Sequence, residues 1–391
     1  MKRAYLDNAS TTPIRKEVIK SMVTSLRYTF GNPSSLQHSY GRKARSVIEE
    51  SRICVANSIN SYPNEIIFTS GGTESNNLVL NLSFYKLGVK HVLTSKLEHY
   101  SILHSLSILS EKNNVSVSFI KFDKYGIIDM DHMEKILKKF SSKKILVTLM
   151  YANNEIGNLL FDIQTVIFLC KKYGAYFHSD TIQFVGNFPI DMKKFNIDFI
   201  TASAHKFYGP KGVGFIFIRK NILNEINSKQ KYKIFENQEY GIRNGTENVP
   251  GIVGISKAIQ LSLCDKNHIK KIYKLKKYCI SQLKNNIPNV IFNGLSFDCK
   301  KSIPTILNFL YPIKKIDNLL YFHLDLMGVS VSKGSACSNS MKNISHVIKL
   351  IVDNFFLTKM MPIRVSFGIF NEKKDIDLLV ESLQRIKRYL K

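Results

Sequence analysis

The stretch Ile66-Ile67-Phe68-Thr69-Ser70-Gly71-Gly72-Thr73-Glu74 contains a short apolar run, a glycine turn and a sequence suited to the start of a helix. Short runs of β-branched and aromatic residues bounded by turn residues are typical of buried strands. Helical stretches such as 165–173 separate most of the further strand signals, which lie at 91–94, 115–119, 145–149, 175–178, 199–202 and 215–218. This alternation predicts a parallel sheet covered on both faces.

The sequence changes character at about residue 255. A long lysine-rich stretch from Ile255 to Leu283 predicts one helix, and a second amphipathic stretch from Lys373 to Leu390 predicts the last helix. At 391 residues the chain is long enough for two domains. We therefore expect a large α/β domain, a smaller α+β domain and a cleft between them.

Hydrophobic residues make up 44% of the chain, which is sufficient for a sizeable core. No apolar run reaches the roughly 18–20 residues that span a bilayer, and the basic start of the chain lacks the apolar stretch of a secretory signal. The 6 cysteines include no Cys-x-x-Cys pair, which favours reduced thiols over a disulfide framework or a metal site. The composition predicts a cytoplasmic protein with no membrane segment and no bound metal.

The formal net charge of +26 raises the hypothesis of nucleic-acid binding, since clustered basic residues neutralise phosphates. The lysines are scattered, however, in a chain rich in Ile, Asn, Phe and Tyr, whose codons are rich in A and T. Genomic base composition is therefore a sufficient explanation, and no specific nucleic-acid partner is predicted. The excess charge still predicts a non-specific attraction to anionic partners.

A lysine directly follows a predicted buried strand in the stretch Ser203-Ala204-His205-Lys206-Phe207-Tyr208-Gly209-Pro210. Burial of an ammonium group is costly unless the group is paired or neutralised. A Schiff base between Lys206 and an aldehyde cofactor would remove that cost and use the amine chemically. The alternative is a structural lysine that extends its amine from the strand end to water.

Two polar side chains, Asp180 and Gln183, come at the end of the preceding predicted strand. Parallel strands place such ends at one edge of the sheet, where ligands bind. A carboxylate there is suited to a protonated pyridine nitrogen such as that of pyridoxal phosphate (PLP), and Gln183 lies one turn further, within reach of the ring oxygen. The alternative for Asp180 is a simple helix N-cap.

Three further segments supply polar groups at the same predicted edge. The turn at Gly71-Gly72 offers free backbone N–H groups and a helix N-terminus to a phosphate. The chain has neither a nucleotide-binding loop nor a dinucleotide fingerprint in the right context, so a different phosphate compound fits better. His99 is suited to ring stacking and proton transfer, although a lone histidine is often structural. Asn154 offers an amide, and the alternative for its segment is a plain turn.

Five longer segments resemble the signature sequences of the NifS/IscS-type cysteine desulfurases. They occur in the order of that family and span almost the whole chain, at 6–13, 30–35, 68–77, 204–212 and 245–250. The resemblance implies PLP fold type I, the fold of aspartate aminotransferase, with a mainly parallel seven-stranded sheet in the large domain and a smaller α+β domain. It implies that residues 14–258 form the large PLP-binding domain, and that residues 1–13 and 259–391 form the small domain with the catalytic cysteine loop.

The resemblance also assigns roles to single residues. Lys206 would bind PLP as a Schiff base, His99 would stack on the ring and transfer protons, and Cys337 would take up the sulfur. Arg364 would bind the substrate carboxylate, a task suited to its planar pair of donors. The other contacts would be Asn8 and Asn32 for the substrate, and Gly72, Thr73, Asn154, Asp180, Gln183, Ser203 and His205 for the cofactor, with Thr246 contributed by the second subunit of a homodimer.

The implied activity is the conversion of L-cysteine to L-alanine with a persulfide formed on Cys337. This cysteine lies among small residues in Lys333-Gly334-Ser335-Ala336-Cys337-Ser338, which suits a thiol that reaches both a substrate and an outside acceptor. The alternative is a small buried cysteine in a turn. The implied partner is a sulfur-acceptor protein such as an iron–sulfur scaffold, and the sulfur would serve iron–sulfur cluster assembly, tRNA thiolation or both.

The chain departs from the pattern of the family at several positions, among them residues 234–237, where the family usually has three glycines. Tyr240 stands where the family usually has an arginine, Lys333 stands at a usual small or hydroxyl position, and Tyr100 replaces a proline. The departures at 234–237 and Tyr240 leave open the packing near the expected dimer contact. The departure at Lys333 leaves open the docking of an acceptor.

Two other classes of function are open alternatives. One is another PLP enzyme of the same fold, such as a selenocysteine lyase or a small aminotransferase, but transamination has no use for a mobile thiol. The other is a basic binding protein that kept the scaffold and lost catalysis. The complete set of Lys206, Asp180, His99, Cys337 and Arg364 argues against it, since a decayed site is expected to lose at least one member.

Overall fold

The computed structural model describes residues 3–228, 238–265, 267–313, 319–334 and 344–389. Their strands are β1 (Ala4–Tyr5), β2 (Ile66–Thr69), β3 (His91–Thr94), β4 (Ser116–Phe119), β5 (Ile145–Thr148), β6 (Tyr176–Asp180), β7 (Phe199–Ser203), β8 (Gly214–Ile218), β9 (Ile291–Phe292), β10 (Ile306–Pro312), β11 (Val329–Ser330) and β12 (Met360–Ser366). Their α-helices are α1 (Lys16–Tyr28), α2 (Ser39–Ser58), α3 (Gly72–Leu82), α4 (Tyr100–Asn113), α5 (Met130–Lys139), α6 (Ile163–Lys172), α7 (Lys220–Ser228), α8 (Val249–Cys264), α9 (His268–Asn286), α10 (Leu320–Leu326), α11 (His346–Ile351), α12 (Asn354–Leu357) and α13 (Lys373–Tyr389). Within these ranges, no helix has the length and apolar character needed to cross a membrane.

Seven strands form the large sheet, in the order β2-β8-β7-β6-β5-β3-β4. The four pairs from β7 to β4 are parallel, whereas β8 runs antiparallel to both of its neighbours. The expected mainly parallel seven-stranded sheet is therefore confirmed. The reversal at β8 was not predicted. It follows from the connection 204–213, which contains no crossover helix of the kind that parallel neighbours need.

Helices cover both faces of the large sheet, as the alternation of strands and helices predicts. Ile66 and Phe68 of β2 belong to the core that lies against α1, α2, α6 and α8. Ile67 belongs to the core on the other face, which lies against α3, α4 and α7. Successive side chains of a strand point to opposite faces. Because both faces are buried, Ile66, Ile67 and Phe68 follow one another without intervening polar residues.

A smaller unit contains the antiparallel sheet β12-β10-β9 and the parallel pair β1-β11. Helix α13 packs on α9 and on both strands of that pair. The start of the chain thus belongs to the sheets of its last third, and Asp7 is bridged to Ser366 at the end of β12. The chain then reaches the large sheet, where the Thr12 N–H donates to the His205 carbonyl at 2.9 Å.

The single helix predicted from Ile255 to Leu283 is wrong, because the chain forms two helices, α8 and α9, with a break between them. Helix α8 packs on α1 and α2, whereas α9 packs on α13. One straight helix does not reach both partners. The break contains neither glycine nor proline, so the local sequence carries no strong stop signal there. The predicted last helix is confirmed as α13.

Candidate active site

Most of the predicted site residues lie at the edge of the large sheet where β3, β5, β6 and β7 end. Asp180 is the last residue of β6, Ser203 is the last residue of β7, and Lys206 follows in one helical turn. Strand β2 runs parallel to β7, because both are antiparallel to β8. The start of α3 at Gly72 therefore lies at the same edge. Residues distant in sequence are brought together by the order of the strands.

These strand ends surround a cavity of about 180 Å³. Two polar residues without a predicted role, Ser10 and Ser101, also line it. The cavity lies between the N-terminal segment, the edge of the large sheet and strand β12. Its lining includes the predicted site residues Gly72, Thr73, His99, Asn154, Asp180, Gln183, Ser203, His205, Lys206 and Arg364.

Lys206 is held in the cavity by the N-terminal segment. Its Nζ donates one hydrogen bond to the carbonyl of Ala9 and another, at 2.9 Å, to the carbonyl of Ser10. The Ala9 carbonyl also accepts from Gln183 Nε2 at 3.0 Å. The partly buried ammonium group thus has the polar partners that burial requires, and these partners fix its direction.

His205, next to Lys206, is neutral at physiological pH. Burial lowers the pKa of His205 to about 4, with a further contribution from the positive charges of Lys206 and Lys211. Its Nδ1 lies 3.2 Å from Thr11 Oγ1. A neutral imidazole offers a hydrogen bond without adding a positive charge next to Lys206.

A chain of hydrogen bonds that the sequence analysis did not predict connects Asp180 with His99. Asn76 Nδ2 donates to Asp180 Oδ2 at 2.8 Å and to Ser101 Oγ at 2.9 Å. Ser101 Oγ lies 2.8 Å from His99 Nδ1. Asn76 Oδ1 accepts from Thr201 Oγ1 at 2.7 Å, which fixes the orientation of the amide. One available signal for Asn76 was its place one helical turn after the glycine turn.

The network also determines which nitrogen of His99 carries the proton. The backbone N–H of Ser101 donates to His99 Nδ1 at 3.1 Å. A nitrogen that accepts a hydrogen bond from an N–H group has no proton of its own, so neutral His99 carries its proton on Nε2. In this tautomer Nε2 is the ring nitrogen that carries the exchangeable proton.

A fully buried carboxyl group, that of Glu98, lies close to this network. Burial raises the pKa of Glu98 well above its ordinary value, and the negative charge of Asp180 raises it further. The Met150 N–H donates to Glu98 Oε1 at 2.8 Å, which opposes this rise without cancelling it. Burial thus favours the neutral form of the Glu98 carboxyl group, which avoids a second negative charge beside Asp180.

The start of α3 faces the cavity. Gly71 precedes the helix with a φ of 146°, in the region that favours glycine. A Cβ on Gly72 would lie 2.2 Å from Ile182 Cδ1, so any larger residue here has to displace the Ile182 side chain. Gly72 and Thr73 line the cavity, and the first N–H groups of a helix have no partner within it. A phosphate group is stabilised by such N–H groups and by the helix dipole.

The residues of the cavity fit PLP. The start of α3, with Ser203 and His205, would hold the phosphate. Asp180, whose carboxylate is fixed by Asn76, would hold the protonated pyridine nitrogen. Lys206 would bind the aldehyde carbon. The three groups required for this cofactor are thus present at one sheet edge.

Arg364 of β12 is buried in the cavity wall. Its Nη1 donates to the carbonyl of Asn154 at 2.8 Å. Its Nη2 donates to Asp7 Oδ1 at 2.9 Å and to Ser10 Oγ at 2.7 Å. One guanidinium group therefore joins the small sheet, the N-terminal segment and the edge of the large sheet.

The structure does not bring Asn8, Asn32 or Thr246 into the cavity. Asn8 Nδ2 donates to the Ser366 carbonyl at 2.9 Å and to Asn371 Oδ1 at 3.0 Å, so the Asn8 amide serves the small unit. Asn32 and Thr246 are exposed. The contribution of Thr246 to a second subunit stays a prediction.

The predicted catalytic residue Cys337 lies in the segment 335–343, outside the described residues. Gly334, directly before it, packs against a buried carboxyl group. A Cβ on Gly334 would lie 2.7 Å from Glu155 Oε2, which explains a glycine there. Burial lowers the pKa of Lys333, as does the positive charge of a second lysine nearby.

The departure at Tyr240 has a structural explanation. Arg52 and Glu239 form a buried ion pair with two hydrogen bonds of 2.8 Å, and each side chain is 1% exposed. The Tyr240 ring lies 5.3 Å from the Arg52 guanidinium, within the range of a cation–π interaction. An arginine at position 240 would instead bring a second positive charge to Arg52. The preceding residues 234–237 lie outside the described part of the chain.

Known proteins are similar to this chain in sequence and in fold. The aminotransferase class-V family matches residues 4–379. The cysteine desulfurase IscS of Dictyoglomus turgidum is 40% identical, over 99% of this chain and 95% of its own length. A solved structure described as a NifS-like protein has a TM-score of 0.86 and 29% identity, and the match covers 100% of both chains. A structure described as SspA in complex with cysteine has a TM-score of 0.76 and 26% identity, over 94% of this chain and 100% of the other.

These matches cover the segments that build the cavity as well as the sheet. The chain belongs to the aminotransferase class-V family, a family of PLP enzymes, and within it to the IscS- and NifS-like cysteine desulfurases.

Proposed function

We propose that this protein converts L-cysteine to L-alanine and transfers the sulfur to Cys337 as a persulfide. The observation that carries the proposal is the convergence of Lys206, Asp180 and Arg364 on one cavity. The first two suit the cofactor, and the third suits the carboxylate of an amino acid. When bound, PLP supplies an electron sink for the electrons released at the α-carbon of the substrate.

Arg364 binds and orients the substrate in this proposal. Its guanidinium is buried, so a hydrogen bond to a carboxylate there is stronger than in water. The planar group also fixes the direction of the carboxylate, and with it the position of the α-carbon relative to Lys206. A small amine without a carboxylate lacks this orientation.

Two groups of the chain move protons in this proposal. Lys206 Nζ takes the α-proton of the substrate, from a position set by the carbonyls of Ala9 and Ser10. His99 Nε2 exchanges the second proton, since its Nδ1 is occupied by Ser101. The hydrogen bonds of Ser101 also connect His99 with Asn76 and so keep the ring in place.

The sulfur transfer is a nucleophilic substitution at the sulfur of the substrate. The Cys337 thiolate forms the new sulfur–sulfur bond, and the carbon–sulfur bond of the substrate breaks. The carbon atom takes up a proton, which yields alanine. The atoms balance with one cysteine consumed for each persulfide and each alanine formed.

The experiment measures sulfide and alanine from L-cysteine and a reductant, with the PLP-loaded protein. We expect equal amounts of both products from the wild type and neither product from Cys337→Ala. Cys264→Ala is the matched control, because Cys264 is an exposed cysteine outside the site, and it is expected to behave like the wild type. A bound PLP chromophore with neither product would contradict the proposal and would indicate another PLP reaction or an inactive scaffold.

The proposal extends to the partners and location of the protein. We infer a cytoplasmic homodimer whose large domain is formed by residues 14–258, with Thr246 facing the second active site. The sulfur would pass to an acceptor protein for iron–sulfur cluster assembly, tRNA thiolation or both. The exposure of Thr246 and the relationship to proteins named IscS support this proposal. Sedimentation of the protein alone, and transfer of labelled sulfur to a scaffold protein or to a tRNA-thiolation carrier, test its two parts.

A further inference from the structure

The guanidinium of Arg364 is already occupied in the absence of a substrate. An arginine side chain has five N–H protons. One proton of Nη1 is donated to Asn154, and both protons of Nη2 are donated, one to Asp7 and one to Ser10. Nε has no hydrogen-bond partner among the described residues.

Asp7, Ser10 and Arg364 form a closed triangle of hydrogen bonds. The Ser10 hydroxyl, which accepts from Arg364, itself donates to Asp7 Oδ1 at 2.9 Å. The Asp7 side chain is 21% exposed, whereas the Arg364 side chain is 2% exposed. Asp7 therefore keeps access to water while it neutralises a buried cation. Separating such a partly exposed carboxylate from its cation costs less free energy than separating a fully buried one.

The geometry of the guanidinium limits how the carboxylate of a substrate can bind to Arg364 in addition to Asp7. Two parallel hydrogen bonds to a carboxylate run either across Nη1 and Nη2 or across Nε and Nη2. Both arrangements need a proton of Nη2. Since both Nη2 protons are engaged, a substrate carboxylate forms a two-pronged pair with Arg364 only if it replaces Asp7 or Ser10.

We propose that Asp7 is a specificity-determining residue that competes with the substrate carboxylate for Arg364. This inference rests on the proposed function, in which Arg364 binds that carboxylate. In the free enzyme Asp7 neutralises the buried guanidinium, so an anion that makes a single hydrogen bond does not displace it. An amino acid with a well-placed carboxylate displaces Asp7, because it makes two hydrogen bonds to Arg364.

The test is the binding of L-alanine to the PLP-loaded enzyme, measured by calorimetry and compared with ethylamine, which lacks only the carboxylate. Asp7→Asn keeps the shape of the side chain and removes its charge. We expect Asp7→Asn to bind L-alanine about tenfold more tightly than the wild type, because a competing negative charge next to the guanidinium is gone. Ethylamine is expected to bind equally to both proteins.

Two controls separate the possible failures. Asp131→Asn changes the net charge equally, at an exposed position on α5 outside the cavity, and is expected to leave the binding of L-alanine unchanged. Arg364→Met is expected to remove the preference for L-alanine over ethylamine. If Asp7→Asn weakens the binding of L-alanine, Asp7 aligns Arg364 and the competition is refuted. If the wild type shows no preference for L-alanine, the role of Arg364 in the proposed function fails first.

Discussion

Replacement of Arg52 by methionine would leave the buried carboxylate of Glu239 without its cation. Arg52 also donates to the Ile66 carbonyl at 2.7 Å, and Glu239 also accepts from the Phe68 N–H at 2.7 Å. The pair thus ties α2 to strand β2 and to the turn at 239–240, whose residues have positive φ angles of 42° and 56°. Burial alone would lower the pKa of Arg52, but the hydrogen bond and the charge of Glu239 raise it above its ordinary value, so the pair is ionised.

The size of the effect follows from what remains after the substitution. Arg52→Met removes both hydrogen bonds to Glu239 and leaves the Ile66 carbonyl without this donor. Removal of one partner of a buried ion pair costs roughly 3–5 kcal/mol of the free energy of unfolding, and we expect about 4 kcal/mol here. The double variant Arg52→Met with Glu239→Leu removes both charges. It is expected to unfold within about 1–2 kcal/mol of the wild type.

Urea unfolding followed by circular dichroism measures these differences, since urea does not screen charges as a salt does. The control is Lys172→Met, which breaks an exposed ion pair with Glu134 and is expected to change stability far less. A double variant as unstable as the single one would refute the reasoning.

Three further predictions follow from single contacts. Gly72→Ala is expected to weaken PLP binding about tenfold or more, because its Cβ would lie 2.2 Å from Ile182 Cδ1. Absorbance titration measures the affinity, and the additional substitution Ile182→Val should restore part of it. Equal affinity of Gly72→Ala and the wild type would contradict the predicted steric clash. Burial lowers the pKa of Lys276 to about 7 from 10.5, so the unfolded chain binds the extra proton and stability rises with pH across that window. Lys276→Met should flatten this rise in urea midpoints measured from pH 7 to 10, and an unchanged slope would count against it. Burial favours the protonated form of Glu98. Glu98→Gln is therefore expected to leave the pH profile of cysteine desulfuration unchanged, and a shifted acidic limb would show that the carboxyl group ionises in the working enzyme.

The positions of the site residues on the sheet were predictable from local sequence. Asp180 and Lys206 each follow a short apolar run, and the ends of parallel strands meet at one edge. The same reasoning placed Gly72 at a helix start. The local pattern indicates whether each element is a strand or a helix and which polar residues lie at its end. This information suffices to predict a polar cavity at the edge of the sheet.

The contacts between distant segments were not predictable in the same way. Asn76 is one of many polar residues on a helix, and only the packing of α3 against β7 shows that it joins Asp180 to Ser101. The pairing of Asp7 with Arg364 depends on the return of the first strand to the last sheet. The break between α8 and α9 depends on their different packing partners, which are α1 and α2 for α8 and α13 for α9. Such features arise from tertiary packing and leave no periodic signal in the sequence.

The order of the elements along the chain has a consequence for synthesis. Asp7 and Arg364 lie 357 positions apart, which corresponds to roughly 20–70 seconds at about 5–20 residues per second on a ribosome. The last strand of the large sheet ends at Ile218, so that sheet is complete in sequence long before β12 exists. During this interval β1 has no strand to pair with, and an unpaired strand is a site for wrong association. The growing chain therefore presents the wall of the cavity formed by the large sheet first, and it closes the opposite wall only when its last third has been made.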